Sequence, residues 1–162
     1  MRITTGFLIP FIIFGSIAAG EKTQAQINIT VTGSWSETID ASDLQDGAGS
    51  DLIDTYESIA DAVSISISGT TGASDNWRVD VKKLDTNWDS SFHLYVKRTS
   101  NGTGGSVSGG TAYQELTDVD ESFFSGSDDV SGIDIQLKLS GVSVQIPPDS
   151  YMTTVYYTVV DI

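Results

Sequence analysis

Ile146-Pro147-Pro148-Asp149-Ser150-Tyr151-Met152-Thr153-Thr154-Val155-Tyr156-Tyr157-Thr158-Val159-Val160 reads as a rigid turn followed by a long final β-strand. Pro147 and Pro148 have no N–H to give to a ladder, so they mark the break before the strand. From Tyr151 onward β-branched and aromatic residues dominate, a composition that suits a pleated, half-buried surface. A period of two puts Tyr151, Thr153, Val155, Tyr157 and Val159 on one face, and Met152, Thr154, Tyr156, Thr158 and Val160 on the other. Apolar side chains on both faces predict a strand inside a sheet or covered on two sides. Tyr151, Val155 and Val159 are its expected core residues.

Working back from that strand, the same period recurs. Ile133, Ile135, Leu137 and Leu139 alternate with polar residues, as do Phe92, Leu94 and Val96, then Trp77, Val79 and Val81, and then Val63, Ile65 and Ile67. Trp35 to Ala41 predicts a short strand with Trp35 and Ile39 inward. Ser42 to Glu57 reads as a polar, acidic loop pinned by Leu52 and Ile53. Thr99 to Gly110, rich in glycine and serine, predicts a flexible loop or hairpin tip. Asp118 to Asp129 predicts an acidic loop tethered by Phe123 and Phe124. Short strands at this spacing predict an all-β fold, an antiparallel immunoglobulin-like β-sandwich of about seven to nine strands.

The chain of 162 residues suffices for one such domain. Its first residues carry the marks of a secretory signal: Arg2, the apolar run Phe7 to Ala19, and Thr23-Gln24-Ala25 as a small-residue cleavage site. The expected division is therefore residues 1–25 as a removed signal peptide, 26–34 as an N-terminal strand and hinge, and 35–162 as the sandwich. The apolar run is too short for a comfortable membrane span. The mature chain would keep 6 basic and 21 acidic residues, a net charge of −15. Such a surface does not hold nucleic-acid phosphates and is repelled by anionic lipid. With no cysteine, the chain has no disulfide, thiolate metal site or cysteine nucleophile.

Little in the sequence carries chemistry. His93 is the single histidine, and no phosphate loop, nucleophile elbow or paired-histidine motif is present. No enzymatic activity and no resident cofactor are expected. Asp40, Asp43, Asp46 and Asp51, in a loop with Gly47 and Gly49, offer hard oxygens to a calcium ion, although the spacing is not that of an EF-hand. Trp77, Trp88 and Tyr95 are candidates for a sugar platform; Trp77 follows the core alternation, while Trp88 lies in a turn and is expected to be exposed. Asn28-Ile29-Thr30 and Asn101-Gly102-Thr103 are glycosylation sequons at Asn28 and Asn101.

Pro148-Asp149-Ser150-Tyr151, with Val155 and Val159 after it, resembles the ending of secreted pilins similar to spore coat protein U. The resemblance implies an immunoglobulin-like fibre subunit assembled by donor-strand complementation. The N-terminus leads to the same expectation separately. After Ala25 the chain begins almost at once with Ile27, Ile29 and Val31, alternating with Asn28, Thr30 and Thr32, and Gly33-Ser34 follows as a hinge. A strand at a free end can pair in its own domain or leave to complete a neighbour's sheet. In the second case Ile27, Ile29 and Val31 are the donor residues, and their burial contributes roughly 5–8 kcal/mol by area. The leading expectation is a secreted structural subunit of an extracellular filament or pilus, its partners copies of itself. The alternative is a monomeric secreted module that binds carbohydrate or calcium.

Overall fold

The computed structural model describes residues 3–7, 26–72 and 75–162. Among the described residues the chain is nearly all β, with eleven strands in a mainly antiparallel sheet and a single 3-10 turn at Ala41–Asp43. The strands are β1 (Ile3–Phe7), β2 (Asn28–Gly33), β3 (Ser36–Ile39), β4 (Tyr56–Glu57), β5 (Val63–Ser68) and β6 (Asn76–Asn87). They continue with β7 (His93–Arg98), β8 (Thr103–Gly109), β9 (Gln114–Glu115), β10 (Glu121–Ser140) and β11 (Met152–Asp161). The expected cleavage site after Ala25 and the apolar run beyond Phe7 lie outside the described residues.

Strand β10 is the axis of the fold. Its first half pairs with β6 on one side and β8 on the other; its second half pairs with β5 and β4 on one side and β7 on the other. One layer therefore runs β3–β1–β11–β6–β10–β8, and the other runs β2–β5–β10–β7–β9. The strand changes layer around residues 127–133, where the register slips against both β8 and β5. Bulges bend a strand and sharpen its twist, which is what a passage between layers requires. Asp128 takes φ 61° at this bend, a left-handed conformation that Asp tolerates better than most side chains.

The alternation read from the sequence gives the core. Ile65, Ile67, Leu94, Val96, Ile133, Ile135, Leu137 and Leu139 from one layer meet Trp77, Val79, Val81, Phe124, Val155 and Tyr157 from the other, all buried. Tyr151 and Val155 are buried as expected, while Val159 is half-buried near the end of β11.

Two expected loops are strands. Thr103–Gly109 forms β8, because its glycines let the backbone lie close to β10: a Cβ on Gly105 would sit 2.0 Å from the Ser127 carbonyl oxygen. The buried Arg98 guanidinium ties this stretch down by donating to the carbonyls of Gly109 (2.8 Å) and Ser100 (3.0 Å) and to Asn101 Oδ1. The region expected as an acidic loop to Asp129 is strand from Glu121 onward. Phe123 and Phe124 are buried in it, edge to face at 5.0 Å. The acidic side chains of that region stand outside a hydrogen-bonded ladder.

Candidate functional site

The N-terminal strands carry the features most open to a partner. Strand β2 pairs antiparallel with β5 over six residues, from Asn28↔Ser68 to Gly33↔Val63. Among the described residues no strand pairs with its other edge. Ile27, Ile29 and Val31 pack against the core but are only half-buried, and Asn28, Thr30 and Thr32 point to solvent. The strand ends at Gly33, whose φ of 113° and close approach to the Ala62 carbonyl exclude a side chain. Gly33 is thus the pivot between a one-sided strand and Trp35, which is buried.

Beside β2, a single strand position separates β3 from β11. It is filled by β1, which runs antiparallel to β3 (Ile3↔Ile39 through Gly6↔Ser36) and parallel to β11 (Gly6↔Met152, Phe7↔Thr153). Among the described residues strand β3 has no other ladder partner, and β11 pairs on its far side with β6 along its whole length. β11 is therefore an interior strand only through β1, over two residue pairs.

Both ends of β3 are tied down by more than its ladder to β1, in which Ile39 pairs with Ile3. Ile39 is 1% exposed and Trp35 8%. At Asp40 a capping box closes the turn: Asp40 Oδ1 accepts from Ser42 N, and Asp43 Oδ2 accepts from Asp40 N, both at 2.8 Å. Leu44 and Leu52 bridge across the loop, and an apolar pocket of about 180 Å³ lies among Ile39, Ala41, Leu44, Leu52 and Val144. Asp51 fastens this loop to the segment before β11. Its carboxylate accepts from Val144 N (2.9 Å), Leu52 N (2.8 Å) and Ser143 Oγ (3.2 Å), and these bonds, the one from Val144 foremost, hold its pKa below the ordinary carboxylate value.

These contacts bear on the loop expected to offer oxygens to calcium. Asp40 and Asp43 each accept from a backbone amide of the loop, Asp51 accepts from Leu52 N and Val144 N, Asp46 is exposed, and no group of three or more acidic or histidine side chains that could hold a metal ion is found among the described residues. The sugar platform is also dispersed. Trp77 is fully buried and its Nε1 donates to the Asp128 carbonyl at 2.9 Å. Trp88, expected in the open, is half-buried; it packs edge to face on Phe92 at 5.3 Å and donates to the Phe92 carbonyl. Tyr95 alone faces outward, with Lys138 Nζ 4.5 Å from its ring centre.

Nearby, Tyr113 lies between Lys97 and Lys138, each ammonium 4.3 Å from its ring centre. Burial, with Glu57 beside it, pushes its hydroxyl up to about 12. His93 is exposed and meets Glu115 at 2.6 Å. The sequon asparagines Asn28 and Asn101 are both exposed; Asn28 Nδ2 donates to the Gln26 carbonyl at 2.8 Å. No helix among the described residues is long and apolar enough to cross a membrane.

No protein-family model matches the chain, and no curated protein or solved structure does so either.

The position between β3 and β11 was not anticipated from the sequence, where residues 3–7 read as the start of a signal. A trace was there: Ile3, Thr5 and Phe7 alternate with Thr4 and Gly6, a period of two just ahead of the uninterrupted apolar run.

Proposed function

We propose that this chain is the structural subunit of an extracellular filament, polymerising head to tail by passing its first mature strand to a neighbour. The observation that supports the reading best is the condition of β2: a terminal strand with one ladder, three half-buried apolar side chains and a glycine pivot behind it. A strand of that kind departs without threading through its own domain. Backbone pairing then supplies affinity and the alternate side chains supply specificity. Because donor and acceptor are different surfaces, the contact is heterologous and does not close on itself, which gives a filament. The acidic surface keeps assembled copies in solution.

The test is negative-stain electron microscopy of the exported protein beside an Ile29→Asp variant. Burying an unpaired carboxylate in an apolar site costs several kcal/mol. The parent is expected to form filaments, and the variant to remain a folded single subunit. A parent that stays monomeric at high concentration removes the reading.

A further inference from the structure

We infer that Asn101 is a self-modification site. Its side-chain amide is converted to a carboxylate by attack of the Gly102 backbone nitrogen and then water, and the carboxylate becomes the counter-ion of the buried Arg98. The inference stands apart from the filament reading. Three observations carry it.

First, Arg98 is a buried cation held by neutral groups. It is 6% exposed. Its Nε donates to the Gly109 carbonyl, and Nη1 donates to the Ser100 carbonyl and to Asn101 Oδ1. Among the described residues no carboxylate pairs with it, although the chain has 22 acidic side chains against 8 basic ones. Arg78, Lys82 and Lys83 each have an aspartate partner. Burial without one lowers the pKa of the Arg98 guanidinium. A carboxylate in the place of the Asn101 amide would turn a neutral contact into a charge-assisted one, which is roughly twice as strong.

Second, Asn101 is set for the conversion. Its side chain is exposed, so water reaches it. The next residue is glycine, which puts no side chain beside the attacking nitrogen. Gly102 precedes the β8 ladder, which begins at Thr103, and its N–H meets Ser100 Oγ at a long 3.4 Å. The Gly102 nitrogen bonds to Asn101 Cγ and gives up its proton. The bond from Cγ to Nδ2 breaks, ammonia leaves, and a succinimide ring remains. Water then opens the ring, and no oxidant or reductant enters. During the attack negative charge gathers on Oδ1, the atom that Arg98 Nη1 contacts. A donor already in place at a developing oxyanion lowers the barrier.

Third, the fold selects the product. Opening the ring at Cγ restores the main chain and leaves a carboxylate facing Arg98. Opening at the other carbonyl routes the main chain through Cβ and lengthens it, giving isoaspartate. Gly102 has no room for the longer path. A Cβ there would sit 2.5 Å from the Ser131 carbonyl oxygen and 3.0 Å from Val130 Cγ1. Ordinary aspartate is therefore the product. Its pairing with Arg98 ties the start of β8 to Gly109 at its end, in a chain that has no cysteine for the purpose.

The exported protein, aged in warm, mildly alkaline buffer beside a sample kept unfolded in urea, tests this by peptide mass spectrometry. Asn101 is expected to show the mass change of an amide becoming an acid at least as fast in the folded sample as in the unfolded one. Folded protein should yield aspartate over isoaspartate by roughly tenfold, because overfilling a packed site is disfavoured. Asn101→Asp should melt several degrees above the parent. An amide that persists in folded protein while the unfolded sample converts overturns the site. Slower conversion in the folded sample overturns the part given to Arg98 in the attack. Isoaspartate in excess there overturns the choice of product, and an Asn101→Asp midpoint at or below the parent's overturns the counter-ion.

Discussion

Gly126 lies in the first half of β10, opposite Trp77 of β6, and its missing side chain makes room for the indole. A Cβ at this position would sit 2.4 Å from Trp77 Cη2 and Cζ2 and 2.3 Å from the Ser106 carbonyl oxygen. Contacts so far inside van der Waals distance force a shift. Trp77 has nowhere to go, being 0% exposed, stacked edge to face on Phe124 at 6.1 Å and hydrogen-bonded to Asp128. Gly126→Ala should therefore cost about 1–3 kcal/mol, the range for inserting a methyl into a filled core. Thermal unfolding followed by Trp fluorescence would report a midpoint lowered by several degrees. Adding Trp77→Phe removes the distal indole ring and one of the two clashes. The double variant should lose less than the sum of the single losses, and the remainder measures the pressure on Ser106. Additive losses, or an unchanged midpoint for Gly126→Ala, would refute the account of how this core is filled.

Other expectations follow from single side chains. Ser58→Ala leaves the buried Leu137 N–H without the hydroxyl that accepts from it at 2.9 Å, and should cost about 1–3 kcal/mol in urea unfolding. Asp51→Asn should destabilise at neutral pH. Because the folded-state pKa of Asp51 is lowered, its contribution is present above the unfolded carboxylate range and disappears as pH falls through the folded value. The gap between parent and variant melting temperatures should accordingly narrow in acid; a gap that is constant with pH would contradict the assigned role. Tyr56 and Tyr113, both pushed up to about 12 chiefly by burial, should ionise after ordinary tyrosines in an ultraviolet titration.

The all-β class and most of the core were legible because period-two alternation is a direct consequence of pleating. Val63, Ile65 and Ile67, or Ile133 through Leu139, have no other good arrangement. What escaped depended on the partner rather than on the strand itself. Thr103–Gly109 has the composition of a loop, and only the approach to β10 and the buried Arg98 make it a ladder. Asp128 and Asp129 read as loop residues because local preference disfavours acidic residues in strands. Yet Asp129 accepts from both the amide and the hydroxyl of Thr70, across 59 residues of sequence. Ile27, Ile29 and Val31 were visible as an apolar row, but no local signal says that its ladder is to β5. The acidic loop was ambiguous for a related reason: carboxylates that cap and bridge backbone have the same spacing in a sequence as carboxylates that gather around an ion.

Strand β10 also governs when the molecule can fold. Glu121–Ser140 supplies a ladder to β4, β5, β6, β7 and β8, all of which precede it in the chain. Until it emerges, those strands have no common partner, and closing their long loops brings no compensating contacts. A growing chain shorter than about 120 residues thus has neither layer, whatever the quality of its individual strands. Folding is deferred to the last quarter of synthesis and then engages both layers together, so a nascent chain remains unfolded, and therefore threadable, for most of its length.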